Sequence, residues 1–130
     1  MSDSWSVVCD IEVCFPGAEM KLVSGSFHII PKNHGIEDRS QSGWGPTIRL
    51  EEGWSGDRRR ISDLIHSFIE PLHDSIARVS NHGFSPLVRV GVFVATMCFT
   101  VRLEPATANL LAQMGATLEF SVYPGDVVDA

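Results

Sequence analysis

The stretch from Asp57 to Val79 constrains this chain more than any other. Its apolar residues are Ile61, Leu64, Ile65, Phe68, Ile69, Leu72, Ile76 and Val79. Counted from Ile61, they recur at offsets of 3, 4, 7, 8, 11, 15 and 18, which is one face of a helix at 3.6 residues per turn. A stripe that long needs an apolar surface to cover, and 130 residues leave room for one core. Ser55 or Asp57 can cap its start. Pro71 lies inside the stripe. It lacks a backbone donor and its ring meets the preceding turn, so it predicts a kink or a split into two shorter helices. Asn81-His82-Gly83 is a stop signal of the left-handed type.

The surface for that helix has to come from strands. From Trp5 to Cys14, residues Trp5, Val7, Cys9, Ile11 and Val13 alternate with Ser6, Val8, Asp10, Glu12 and Cys14. Period two with β-formers predicts a half-buried strand, closed by Phe15-Pro16-Gly17. Phe27, Ile29 and Ile30 suggest a short strand within Lys21 to Ile30, and the polar run from Pro31 to Gly45 reads as a loop. Trp44, Pro46, Ile48 and Leu50 point to a further strand ending near Glu51-Glu52-Gly53. The valine-rich run from Leu87 to Thr96 is apolar on both sides and fits a central strand. Cys98 to Leu103 follows closely enough for a hairpin. Glu104-Pro105 opens a short helix that places Leu110, Leu111 and Met114 inward and ends at Gly115. Leu118, Phe120 and Val122 alternate as a last strand.

The expected fold is therefore a single α+β domain over residues 1–130. An antiparallel or mixed sheet of four to six strands carries one long kinked helix and one short helix on one face. The ending resembles half of a ferredoxin-like split motif.

Composition excludes several function classes. Hydrophobic residues are 44% and charged residues 20% of the chain, which argues against disorder. No apolar run is long enough for a transmembrane helix. The formal net charge of −6 disfavours nucleic acid, whose binders place Lys and Arg on phosphates. The N-terminus lacks the pattern of a secretory signal. Cys9, Cys14 and Cys98 are odd in number and lack redox or zinc-knuckle spacing, so reduced thiols in a cytoplasmic protein are expected.

The run from Phe99 through Leu103, Pro105, Leu110-Leu111, Met114-Gly115-Ala116 and Leu118 to Ser121-Val122-Tyr123 resembles the ending of a small bacterial family, domain of unknown function 4279. The long helix with Leu64, Phe68, Pro71 and Leu72 fits it too. The family's closing acid is Ser121 in this chain, and its turn after the first strand is not matched cleanly by Pro16 to Pro31. The resemblance implies a fold and a bacterial origin, and no reaction.

Candidate chemistry is sparse. His66 and Glu70 are four residues apart on one helical face, with His73 three beyond, a spacing that can hold a metal; no further ligand is placed, and hydrogen-bonded boundary histidines are the plainer reading. His28, His34 and His82 stand without a nearby partner in the sequence. Asp10 with Glu12, Glu51 with Glu52, and Asp63, Glu70 and Asp74 read as polar faces of half-buried elements. No nucleophile elbow and no phosphate loop occurs. Arg58-Arg59-Arg60 is the one basic cluster. At a helix start it opposes the macrodipole, which suggests an anionic partner or a bridge to Glu51 and Glu52. Trp44 and Trp54, each beside glycine, are either interface anchors or covers for the edge of the core.

These readings favour a non-catalytic interaction module, of the immunity type, that binds a protein partner through an acidic surface, or a homodimer. No cofactor or metal is expected. Binding is assigned to Trp44, Trp54, Arg58, Arg59 and Arg60. The alternatives are a small-molecule binding domain with its pocket between sheet and helix, and a small hydrolase using histidine and carboxylate.

Overall fold

In a computed structural model, residues 6–27, 35–94 and 100–124 are described. The expected α+β class holds: five strands form one mixed sheet in the order β2-β3-β1-β4-β5, with helices packed on one face.

Strand β1 (Ser6–Cys14) lies at the centre. Its alternation has the expected consequence. Val7, Cys9, Ile11 and Val13 are buried against the helices, and Asp10 and Glu12 turn to the opposite face. Strand β4 (Leu87–Val94) pairs antiparallel with β1 and buries Val88, Val90, Val92 and Val94 on the same side. On the other edge of β1, strand β3 (Gly45–Asp57) runs antiparallel and adds Ile48 and Leu50.

The long apolar stripe splits where Pro71 predicts. Helix α2 (Ile61–Ile69) passes through a 3-10 turn at Glu70–Leu72 into α3 (His73–Ser80). Ile61, Ile65, Ile69, Leu72, Ile76 and Val79 are all buried and fill the layer between helices and sheet. The pocket expected between sheet and helix is thus occupied by core side chains. Asp57 caps the start, accepting the Arg59 amide.

Three expectations are corrected. Of the stretch Lys21 to Ile30, residues 21–26 belong to helix α1 (Met20–Ser26), which buries Val23 in the core; a few residues suffice because tertiary packing supplies the stability that local propensity lacks. The loop from Pro31 to Gly45 contains an edge strand, β2 (Ile36–Arg39), and a 3-10 turn at Ser40–Ser42. Residues 100–103 are not a strand, and the hairpin gives way to a crossover: helix α4 (Pro105–Gln113) returns the chain to β5 (Thr117–Pro124), which pairs parallel with β4. Trp5, His28, Ile29, Ile30, His34, Cys98, Phe99 and the tail after Pro124 lie outside the described residues.

The pairing of β1 with β3 is irregular at Asp10, where Glu52 and Gly53 stand opposite one residue. Gly53 takes φ 74° in this bulge, and its N–H donates to Asp10 Oδ1 at 2.7 Å. Gly45 at the start of β3 is more tightly bound. Its φ is 68°, and a Cβ there would stand 2.4 Å from the Phe15 carbonyl oxygen. Gly53→Ala is expected to cost about 1–2 kcal/mol for the left-handed conformation alone. Gly45→Ala should cost clearly more, because backbone must also move. Urea unfolding of the two variants checks the order.

Candidate functional site

The helix-free face of the sheet is organised in rows, because register places neighbours on β1, β4 and β5 side by side. Glu12, Arg89 and Glu119 form one row, extended by Arg49 on β3. Asp10, Gly91 and Ser121 form the next, and Val8, Phe93 and Tyr123 the third.

The first row is an ion-pair array. Arg89 Nη1 donates to Glu12 Oε1 at 2.9 Å, and Arg39 Nη1 donates to Glu12 Oε2 at 2.7 Å. Each oxygen of Glu12 therefore holds one guanidinium. Arg39 also donates to Glu37 at 2.8 Å, and Arg89 Nε to Glu119 at 3.3 Å. The Glu12, Arg39 and Arg89 side chains keep only 16%, 20% and 21% of their exposure, so solvent screens these pairs less than ordinary surface pairs. The Trp44 ring lies 3.7 Å from the Arg89 guanidinium carbon, a cation–π contact over one face of the guanidinium.

The middle row is small. Gly91 and Ser121 leave a trough between the ion-pair row and Phe93–Tyr123, whose rings stack at 4.9 Å. The resulting cavity holds about 320 Å³ and is lined by Asp10, Glu12, Glu51, Glu52, Arg39, Arg49 and Arg89 together with these aromatics. Arg49 is committed to Glu52 at 3.1 Å. This cavity joins carboxylates with an exposed aromatic surface and has ion pairs already built into its wall.

The residues expected to bind are not gathered there. Trp44 sits on this face as a cover for Arg89. Trp54 sits on the other, packed against the core with its ring over Gly56. Arg58, Arg59 and Arg60 form a 3-10 turn ahead of α2. Arg59 Nε donates to Asp57 at 2.9 Å, joined by Nη2 to the same carboxylate. These bonds from Arg59 hold the Asp57 carboxyl down at about 2. The trough residues Gly91, Phe93, Ser121 and Tyr123 went unpredicted. Arg89, the one charge among the valines of β4, was the available signal.

His66 belongs to a separate array. Its Nε2 meets Glu70 Oε2 at 2.9 Å and its Nδ1 lies 3.5 Å from Thr107 Oγ1. Ser62 Oγ donates to Thr107 Oγ1 at 3.1 Å and accepts from the Glu104 amide at 2.9 Å. Carboxylate, imidazole and hydroxyl are thus in line, as hydrolysis would need, yet Ser62 and Thr107 are each 2% exposed. Their hydroxyls reach each other and the backbone, and the array fastens α2 to α4. Among the described residues no group of three His, Cys, Asp or Glu side chains could hold a metal, and no helix is long and apolar enough to cross a membrane.

Cys9 and Cys14 are buried free thiols. Burial, reinforced by the Asp10 charge, pushes Cys9 up to about 12. Burial raises Cys14 as well, against the hydrogen bond with Thr47. No protein-family model, no curated protein and no solved structure matches the chain.

Two outcomes follow from this geometry. Glu12→Gln leaves two guanidiniums sharing one neutral amide, and should lower unfolding stability by about 1–3 kcal/mol in urea. Glu119→Gln, whose carboxylate is more open, should cost less than about 1 kcal/mol; equal costs would show that the buried row has no special weight. At pH 8, Cys9 and Cys14 should resist iodoacetamide in the native protein and react once it is denatured, as read by peptide mass spectrometry.

Proposed function

We propose that this protein is a non-catalytic interaction module of the bacterial cytoplasm, of the immunity type, whose helix-free sheet face receives a basic segment of a protein partner. The observation that carries this is the trough over Gly91 and Ser121, where the Asp10 carboxylate and the stacked Phe93–Tyr123 pair flank one opening. The guanidiniums of the wall are already matched by Glu12, Glu37, Glu52 and Glu119. An entering Lys or Arg can lay its stem on the aromatic surface and bring its charge to Asp10 without breaking those pairs. The net charge of −6 would speed the approach of a basic partner. The likeness to the domain of unknown function 4279 family belongs to this proposal and adds no activity to it.

A small organic cation is the second reading. It is favoured by the cavity of about 320 Å³, the lower end of the usual range for small-molecule sites.

Titration of the labelled protein with an arginine-rich peptide, followed by NMR, tests the main reading. Shifts are expected at Asp10, Gly91, Phe93 and Ser121, with affinity falling as salt rises. Asp10→Asn keeps the oxygen that accepts from Gly53 and removes the charge, so it should weaken binding while the fold stands. Shifts confined to other surfaces, or binding indifferent to Asp10→Asn, would overturn the assignment. Saturable binding of free guanidinium or arginine as tightly as the peptide would favour the small-cation reading.

A further inference from the structure

We infer that the outer edge of β5 pairs with the β5 edge of a second copy of this chain. The two strands run antiparallel about a two-fold axis at Phe120, so that one sheet continues through both copies.

The two edges of the sheet are treated differently. An edge strand offers a row of N–H and C=O groups to any extended chain, and shortness, charge and proline are the usual guards. Strand β2 is guarded: it has four residues, and Glu37, Asp38 and Arg39 are among them. Strand β5 has eight residues, and its proline comes last. It ends the sheet order, and among the described residues no strand lies beyond it. The exposed large apolar side chains among the described residues are Val122 and Tyr123, at 42% and 47% exposure, and both belong to β5.

Backbone direction selects the occupant. The Thr117 N–H donates to the Pro86 carbonyl at 2.9 Å, and Leu87 on β4 is its register partner. Backbone groups alternate sides along a strand. Thr117, Glu119, Ser121 and Tyr123 therefore aim theirs at β4, and Leu118, Phe120 and Val122 aim theirs outward. Antiparallel residues that exchange both bonds must all be outward ones. A two-fold axis at Phe120 meets that condition throughout: Phe120 faces Phe120 of the second copy, and Leu118 faces Val122.

The side chains agree with this register. Leu118 and Phe120 pack against the core, so their pairs would continue the apolar layer. On the other face Glu119 stands opposite Ser121 and Thr117 opposite Tyr123, and no like charges meet. Copies carrying −6 each repel over most of their surface. From Pro105 to Pro124, however, Glu119 is the single charged residue, and Arg89 Nε donates to it at 3.3 Å. A basic strand of another protein would find no unmatched carboxylate here, whereas a second copy needs none. An edge this short falls below the standard interface of about 800 Å² per partner. The dimer should therefore be weak, with a dissociation constant on the order of 10 μM.

Sedimentation of the full chain from about 1 to 300 μM tests the pairing. The mass should rise from 14.3 kDa toward twice that value. Added salt should strengthen the dimer by screening like charge, the opposite of its effect on a basic peptide at Asp10, so the two readings can fail separately. Val122→Pro removes one outward N–H and leaves the bonds to β4 in place; it should weaken the dimer about tenfold. A double variant, Thr117→Cys with Tyr123→Cys, fixes the register. Across the axis these residues face each other with Cα atoms about 4.5 Å apart, within disulfide reach. Along one strand they are about 20 Å apart. Mild oxidation should give a covalent dimer from the double variant and from neither single one. Amide exchange gives a third reading: Leu118, Phe120 and Val122 should slow as concentration rises, while Glu119 and Ser121 stay protected throughout. A monomer at every concentration would overturn the inference, as would a dimer indifferent to Val122→Pro or equal cross-linking of the single variants. A monomer whose outward amides slow only on adding an extended peptide of another sequence would assign the edge to a foreign strand instead.

Discussion

One amphipathic rod covers one face of a sheet, and the rest of this structure follows from that limit. The apolar stripe of α2 and α3 is spent on Val7, Cys9, Ile11 and Val13 of β1 and on their neighbours in β3 and β4. The opposite face must be made compatible with water by other means. The chain does so by register. Glu12 stands between Arg49 and Arg89, and Arg89 beside Glu119, so signs alternate across the sheet and each cross-strand neighbour is favourable. Arg39 and Trp44 then close over the row. Such an array adds modestly to stability as a whole. It is sensitive to losing one member, because the partner left behind remains partly desolvated.

The parts of the fold governed by local periodicity were legible in the sequence. The alternation of β1 assigned Asp10 and Glu12 to one face, and Pro71 marked the break between α2 and α3. What was not legible depends on distant contacts. Helix α1 is seven residues long and contains Gly25, so nothing local favours it; packing of Val23 decides. Strand β2 is polar and short, and exists because β3 offers it an edge. The parallel return of β5 to β4 rests on α4 filling the crossover, where a hairpin was the simpler local expectation.

The candidate site divides in the same way. Its acids could be placed on a face from spacing alone. Their partners could not, since Arg39 and Arg89 reach Glu12 from 27 and 77 residues away in the chain. The tryptophans show the converse. Their matching Gly-Trp contexts suggested a pair, yet Trp44 precedes β3, beside Gly45 with its φ of 68°, and covers a guanidinium, while Trp54 lies within β3 opposite Cys9 and packs on the core.

Pre-paired charge also bears on what the sheet face can do. A guanidinium held by two carboxylates and covered by an indole has little freedom to turn toward a ligand, so it shapes the trough and does not itself grasp. The groups left to respond are those bordering the small row: the Asp10 carboxylate, whose Oδ1 is fixed by the Gly53 amide, and the Phe93–Tyr123 stack. Both are set in place before any ligand arrives, which lowers the ordering cost of binding. Enlarging Gly91 would bring a Cβ to 3.7 Å from Tyr123 and 4.0 Å from Asp10. Those are ordinary contacts, so the backbone would tolerate alanine there. The absence of a side chain at Gly91 is therefore not demanded by packing, and its consequence is the open floor of the trough that is proposed to receive a basic side chain.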